Sequence, residues 1–356
     1  MRASDGRRKV SQKDARAMFE CYDPGVRTAS RRDPATARSE TFPYSQQTFA
    51  LTRGELTGAR VMYFDSGASK KPVLLLVHGL GCNLTHFEYI APLLEAAGFR
   101  VIGLDLPGFG LSSKPHGRYT IRFLSDAIIE LLDELHIDRA SLCGHSLGGL
   151  VCADLALHSP ERVERLILLS SAGFFRMPLA VRLAARTILR PGLLAPALEH
   201  GARRLLGRAL SETNERTERF IEQSVSRPDP RFVRDPARVM WSLRDDLTSY
   251  TLLDVAKRLE TPTLVIWGGR DKLLPFGRVP GWVRELRTGE MEIIERCGHM
   301  PHIENPVAVA HRVREFLGRR YPTSSRPYPT SSHPYPPLSR PHSPSTKPPS
   351  ARLTVS

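Results

Sequence analysis

Ser146 is the residue of this 356-residue chain best placed to do chemistry. It lies in Leu142-Cys143-Gly144-His145-Ser146-Leu147-Gly148-Gly149, where an apolar run, Ala140 to Cys143, ends in a serine flanked by glycines. A serine at a sharp strand-to-helix turn holds strained backbone geometry. The turn around it must therefore be nearly bare of side chains, and Gly144 and Gly148 meet that need. Leu147 to Leu157 is apolar and rich in small residues, and it continues as a helix ending near Pro160. A Gly-rich turn before a helix occurs without chemistry too, so the flanking strand and helix carry the argument rather than the pentapeptide.

A serine hydroxyl is a poor nucleophile near neutral pH unless a general base and a group to orient that base are supplied elsewhere. Two downstream loops offer them. The strand-like run Thr263 to Trp267 leads into Gly268-Gly269-Arg270-Asp271, and the run Met291 to Ile294 leads into Cys297-Gly298-His299-Met300-Pro301. Loops leaving the C-terminal edge of a parallel sheet converge on one face, so Ser146, Asp271 and His299 can meet although far apart in sequence. Asp271 could equally cap a turn, but the run Leu168 to Gly173 after the preceding strand contains no carboxylate to compete with it. A third buried strand, Val73 to Val77, runs into His78-Gly79-Leu80-Gly81, whose glycines let backbone amides approach a reacting carbonyl. The N–H groups of Leu80 and Leu147 are the candidate donors to the oxyanion that forms there. His78, His145, His302 and Asp105 are read as structural.

Five ordered motifs give the chain a resemblance to the α/β-hydrolase superfamily, in its capped, esterase- and lipase-like form. They are His78-Gly79-Leu80-Gly81, Asp105-Leu106-Pro107-Gly108-Phe109-Gly110-Leu111-Ser112, Gly144-His145-Ser146-Leu147-Gly148-Gly149, Gly268-Gly269-Arg270-Asp271 and Gly298-His299-Met300-Pro301. The resemblance spans roughly residues 46–320. It implies a triad of Ser146 as nucleophile, His299 as general base and Asp271 as orienting acid, and a covalent acyl-enzyme resolved by water. A serine at the turn argues against the haloalkane dehalogenases and epoxide hydrolases of the superfamily, which place an aspartate there. Enzymes of this kind that hydrolyse carbon–carbon bonds tend to carry Gly-Pro-Gly after the His-Gly, whereas this chain has Gly81-Cys82-Asn83, which weakens that option.

The elements that must position these residues are legible as alternation. Continuous apolar runs at Val73 to Val77, Val101 to Leu104, Ala140 to Cys143, Leu166 to Leu169, Thr263 to Trp267 and Met291 to Ile294 suit strands covered on both faces, and helical patterns such as Phe123 to Leu135 lie between them. The fold class expected is α/β, a mostly parallel doubly wound sheet with an inserted helical cap. Gln47 to Thr52 and Ala59 to Phe64 add an antiparallel hairpin at one edge. From about 174 to 250 strand alternation stops and the sequence turns Arg-rich and helical, which reads as the cap. Phe174, Phe175, Trp241 and Met300 are candidate pocket walls there, with ordinary core packing as the alternative. Arginines on an apolar-striped helix admit a weak membrane-surface contact, with a solvated cap face as the alternative.

The domain reading is a polar extension over 1–45, the catalytic domain over 46–320 and a Pro/Ser/Thr-rich tail over 321–356, both ends being expected to be disordered. The net charge is +14, and much of it sits in those ends. Residues 321–356 carry Arg326, Arg340, Lys347 and Arg352 with no acid, and residues 1–45 hold ten basic against six acidic side chains. No recognition module accompanies that charge, so specific nucleic-acid binding is not expected. No Cys/His/Asp/Glu cluster has metal-ligand spacing, and the chemistry calls for no cofactor. Five cysteines without paired spacing fit a reducing compartment, and with no secretory signal or membrane span in view the expected location is the cytoplasm. Cys82, Cys143 and Cys297 lie within three residues of candidate site elements, which predicts sensitivity to bulky thiol reagents.

The function expected is hydrolysis of a carboxylic ester, lactone or related acyl compound, the partner being a small, apolar acyl substrate. Hydrolysis of a carbon–carbon bond, acyl transfer or perhydrolysis on the same fold are the alternatives. A ligand-binding protein that keeps the pocket without turnover is the alternative from another class. Activity should rise with pH as His299 loses its proton, and a rate flat from about pH 5 to 8 would count against its role as base.

Overall fold

The computed structural model describes residues 42–67, 70–225, 231–274 and 276–319. Most of the two terminal segments read above as extensions lies outside these residues. Eight strands form one sheet there: β1 (Gln46–Ala50), β2 (Arg60–Asp65), β3 (Val73–Val77), β4 (Arg100–Leu104), β5 (Ala140–His145), β6 (Val163–Leu169), β7 (Thr263–Gly268) and β8 (Gly289–Ile294). Their spatial order is β1-β2-β4-β3-β5-β6-β7-β8. The β1–β2 and β2–β4 pairs are antiparallel and every later pair is parallel. The order reverses at β3, where chain progression passes from one half of the sheet to the other, and the C-terminal ends of β3 and β5 lie side by side. Crevices at such points are where α/β sheets bind ligands.

Among the described residues ten α-helices accompany the sheet: α1 (Ala91–Ala96), α2 (Ile121–Glu134), α3 (Leu147–His158), α4 (Leu179–Ile188), α5 (Pro191–Ala209), α6 (Glu215–Val225), α7 (Arg231–Ser249), α8 (Val279–Glu285), α9 (Pro301–Glu304) and α10 (Pro306–Leu317). The apolar stripe of α2, Leu124, Ile128 and Leu131, packs with Leu150 and Val151 of α3 on one face of the sheet. Leu94 of α1 and Val309, Val313 and Phe316 of α10 pack with Leu74 and Leu76 on the other. Strands sandwiched this way have no polar side, which is why they read as unbroken apolar runs. Each fully buried Leu, Ile or Phe in these layers contributes about 1.5–3 kcal/mol. Thr120 starts α2 by accepting the Phe123 N–H at 3.0 Å, a cap worth about 1 kcal/mol.

Four consecutive helices, α4 to α7, occupy the connection between β6 and β7. Among the described residues no helix is long and apolar enough to cross a membrane. One boundary needs correction. Phe42 and Tyr44, assigned from sequence to the polar N-terminal extension, set their rings against Phe64 at 5.1 and 4.8 Å, and the Tyr44 hydroxyl donates to Glu95. Two aromatics in a polar stretch were too sparse a pattern to signal packing, yet they close the outer face beside β2.

Candidate active site

Ser146 stands between β5 and α3 with φ 51° and ψ −115°, in a region that a side chain ordinarily avoids. The strain is held from all sides. The Ser146 N–H donates to Leu169 O at 3.0 Å, and its carbonyl accepts from Ala172 and from the first turn of α3. A Cβ at Gly144 would lie 2.3 Å from Gly148 O, and one at Gly148 would lie 2.2 Å from Val77 O, so both glycines are required by close backbone approach. From Ala140 to Ala156 every residue is buried except Ser146. Over-determined strain of this kind is characteristic of functional positions.

Asp271 follows β7 and His299 follows β8. The His299 Nδ1 and Asp271 Oδ2 atoms are 2.8 Å apart, with both side chains almost wholly out of water. Asp271 also caps its turn: its Oδ1 accepts the Leu273 and Leu274 amides, each at 2.9 Å. The two readings of Asp271 are thus compatible, because the turn bonds fix the carboxylate plane that presents Oδ2 to the imidazole. With Nδ1 turned to the carboxylate, Nε2 is the nitrogen left for proton exchange with another group.

His299 is tied to the Ser146 turn through its neighbour. His145 Nε2 lies 2.9 Å from the His299 carbonyl, and the two rings stand 4.9 Å apart. The loop after β3 closes on the same spot, since a Cβ at Gly79 would come within 3.1 Å of Ser146 Cβ and 2.9 Å of His145 Nδ1. Leu80 is the next residue in that loop, and Leu147 opens α3, whose first amides have no intrahelical acceptor. Neither the Leu80 nor the Leu147 amide donates to another described residue.

The surrounding polar residues are structural in a definite way. His78 Nδ1–H donates to Gly79 O at 2.7 Å while its Nε2 accepts from Leu106 N–H at 3.0 Å, and burial pushes its pKa down to about 4. Asp105 accepts from the amides of Leu84 at 2.7 Å and Leu111 at 2.6 Å, bracing two loops rather than an imidazole of the site. His302 packs 4.6 Å from the His145 ring, its Nδ1 has no hydrogen-bond partner among the described residues, and burial lowers its pKa to about 3. Burial, with His302 and His299 adding to it, likewise holds His145 well below the usual histidine range. These rings are neutral spacers around His299.

Glu304 is a residue that sequence reasoning missed. Its Oε1 accepts the amides of Gly298 at 2.8 Å and Met300 at 3.3 Å, so it grips the backbone on both sides of His299. Its Oε2 accepts the amide and hydroxyl of Ser211, each at 2.7 Å. The His299 amide itself donates to Ala209 O, the last residue of α5, at 2.6 Å. The loop carrying His299 is therefore built jointly by the sheet and by the segment that follows α5. No local pattern announces this, because 93 positions separate Ser211 from Glu304.

The four pocket candidates lie in different settings. Phe174 is buried edge-on against Trp267 and Trp282, with ring centroids 5.7 and 4.9 Å away, and so serves the core. Phe175 is half-buried. Trp241 on α7 is half-buried under the Arg244 guanidinium, 4.2 Å from its ring centre. Met300 is buried in an apolar cluster with Cys82, Leu210, Phe220, Ile221 and Ile303. The described cysteines are all buried and free. Burial pushes the Cys82, Cys143 and Cys297 thiols up to about 12, which disfavours the reactive thiolate at each of them.

Comparison with known proteins agrees with this architecture. Residues 72–306 match the alpha/beta hydrolase fold family. The chain is 31% identical over 267 residues to an uncharacterised protein of Mycobacterium tuberculosis, covering 72% of this chain and 78% of that one. It is also 31% identical over 271 residues to the 2-hydroxymuconate semialdehyde hydrolase of a Pseudomonas species, covering 73% and 91% of the two chains. Among solved structures, the enol-lactonase from Burkholderia xenovorans aligns with a TM-score of 0.63 at 26% identity, over 74% of this chain and 98% of that one.

Proposed function

The chain belongs to the alpha/beta hydrolase fold family, and from that premise we propose that it is a serine hydrolase acting on a carboxylic ester, a lactone or a related acyl compound. The observation that carries the proposal is the buried 2.8 Å contact between His299 and Asp271 beside a serine held in strained geometry. That combination supports an imidazole fixed in one tautomer with its second nitrogen available to a hydroxyl.

In the proposed reaction Ser146 Oγ attacks the acyl carbon as its proton passes to His299 Nε2. The oxyanion of the tetrahedral intermediate accepts hydrogen bonds from the Leu80 and Leu147 amides. His299 then returns the proton to the departing alkoxide, leaving the acyl group on Ser146. Water attacks that acyl-enzyme with His299 again taking the proton, and collapse releases the acid and the serine. Asp271 stabilises the imidazolium in both halves without being protonated. Loss of one oxyanion donor in such a site costs about 100- to 1,000-fold in turnover. Met300, next to His299 in an apolar cluster, with Phe175 and Trp241 from the helical connection, would favour an apolar acyl or leaving group. The lactonase named above acts, by its name, on a cyclic ester, which supports the same bond class.

A series of p-nitrophenyl esters with acyl chains of increasing length, run with wild type and Ser146→Ala, tests the reading. Turnover in the wild type that disappears in the variant supports it, and the chain-length optimum sizes the pocket. A variant as active as the parent removes Ser146 from the mechanism. The similarity to a semialdehyde hydrolase favours one second reading, cleavage of a carbon–carbon bond with the same residues. It would lead if a fluorophosphonate labels Ser146 while no ester is turned over.

A further inference from the structure

Helix α4 leaves its large apolar side chains in solvent. It buries none of its residues. Its two arginines reach α7 along the surface: Arg182 donates to Ser249 Oγ at 2.6 Å and Arg186 pairs with Asp245 at 3.2 Å. At about 100° per residue, Leu179, Ala180, Val181, Leu183, Ala184 and Ile188 spread over a little more than half of the helix circumference, broken by Thr187, while the partly buried Ala185 and Leu189 mark its inner side and Arg186 borders Leu179. Leu179 is 67% exposed, Leu183 53% and Ile188 62%. The apolar face continues past the turn into α5, where Leu193 is 57% exposed. Leu189 and Leu194 turn inward there to a small cluster with Ala195 and Ala237, so the inner side of the turn is already satisfied.

Single exposed leucines need no explanation, but a contiguous face does. Of the large hydrophobic side chains exposed among the described residues, all but Leu111 and Leu273 lie between positions 179 and 205. The charge along this stretch is mostly positive. Residues 179–209 hold six arginines and one acidic residue, Glu199. Arg190 lies in the turn between Ile188 and Leu193, and Arg190, Arg204 and Arg208 have no carboxylate partner among the described residues. An apolar surface with the Arg190 guanidinium in its turn matches a bilayer surface, which offers hydrocarbon beneath a layer of phosphate. A second copy of the same face would instead bring Arg190 towards its own equivalent with no carboxylate on α4 to offset it.

We infer that the outer face of α4 and the turn into α5 form a docking surface for anionic lipid membranes, with Leu179, Leu183, Ile188 and Leu193 entering the interface and Arg190 engaging lipid phosphate. The attachment is reversible, since one short helix buries little area. It stands apart from the assignment of Ser146, because it is read as binding and needs no turnover.

The test is co-sedimentation of the full chain with vesicles of phosphatidylcholine, with or without about 30% phosphatidylglycerol. Binding should require the anionic lipid and weaken at about 0.5 M salt. Leu183→Ser with Ile188→Ser, which leaves the net charge and the tails unchanged, should lower the partition coefficient at least ten-fold, and Arg190→Gln about five-fold. Unchanged melting temperature and unchanged turnover of a short soluble ester would show that the variants are folded. Equal partition of wild type and the double variant overturns the inference, as does absence of wild-type binding to the anionic vesicles. Wild-type self-association that the double variant loses, with no vesicle binding by either, would assign the face to a second copy and overturn it equally.

Discussion

At the scale of single residues, Asp271 and Glu304 divide the control of His299. Asp271 meets the ring and Glu304 holds the backbone on either side of it. A carboxylate accepting several N–H and O–H donors keeps them satisfied out of water, so its removal strands them at a cost of about 1–3 kcal/mol each. Glu304→Ala should therefore loosen the loop and misplace the imidazole. The expected outcome is a fall in kcat of about 10- to 100-fold, with KM changed little, since a positioning error of an ångström costs that much. Steady-state kinetics on a short ester, with the rate of fluorophosphonate labelling of Ser146, would measure it. A drop in melting temperature with kcat and labelling intact would make Glu304 merely structural. Ser146, Asp271 and His299 are legible as candidates in the sequence because each follows an apolar run and has a glycine within two positions. Glu304 is not, because the donors that give it meaning lie across the whole helical connection.

The same contrast holds at the scale of elements. The strands were legible because burial on both faces leaves no polar position to interrupt them, and the helix over 121–134 because its apolar spacing is regular. The connection between β6 and β7 was legible only as helical and Arg-rich. Its sequence does not say which residues of α4 meet α7, because the partners of Arg182 and Arg186, Ser249 and Asp245, lie on another helix. Phe174 illustrates the same limit, since an aromatic just after a strand reads alike whether it lines a site or fills the space between two tryptophans. Glycines make the packing of an element testable. Gly148→Ala would drive a Cβ against the Val77 and His78 carbonyls, forcing α3 away from β3. Gly201→Ala, in α5 with nothing within 4 Å, meets no obstacle. The first should cost about 1–3 kcal/mol or more. The second should add about 0.4–1 kcal/mol of stability. Urea unfolding of the pair separates the two, and equal midpoints would contradict the close approach at Gly148.

For the whole molecule, the neutral histidines at the centre couple stability to pH. His78 and His302 have pKa values of about 4 and about 3 in the folded protein, both lowered by burial, and His145 is lowered too. Unfolded, each returns to about 6.5. On acidification the unfolded chain therefore takes up protons first, and stability present above about pH 6.5 is lost as pH falls towards the folded values. The slope is about 1.4 kcal/mol per pH unit for each histidine within that window. At His78 the reason is visible in its bonds: protonation would place a second N–H at the nitrogen that accepts from Leu106. Buried and half-buried carboxylates act with the opposite sign. Glu88, Asp126 and Asp246 are raised by burial and so favour the folded state as they protonate, which offsets part of the loss at lower pH. Melting temperature should fall between pH 7 and 5, where the histidine contribution dominates. His302→Phe, which fills the space between His145 and Phe87 without a titrating group, should flatten that fall by about one histidine's share. A melting temperature independent of pH over this range, or a variant with the parental slope, would mean that these rings do not carry the acid sensitivity of the fold.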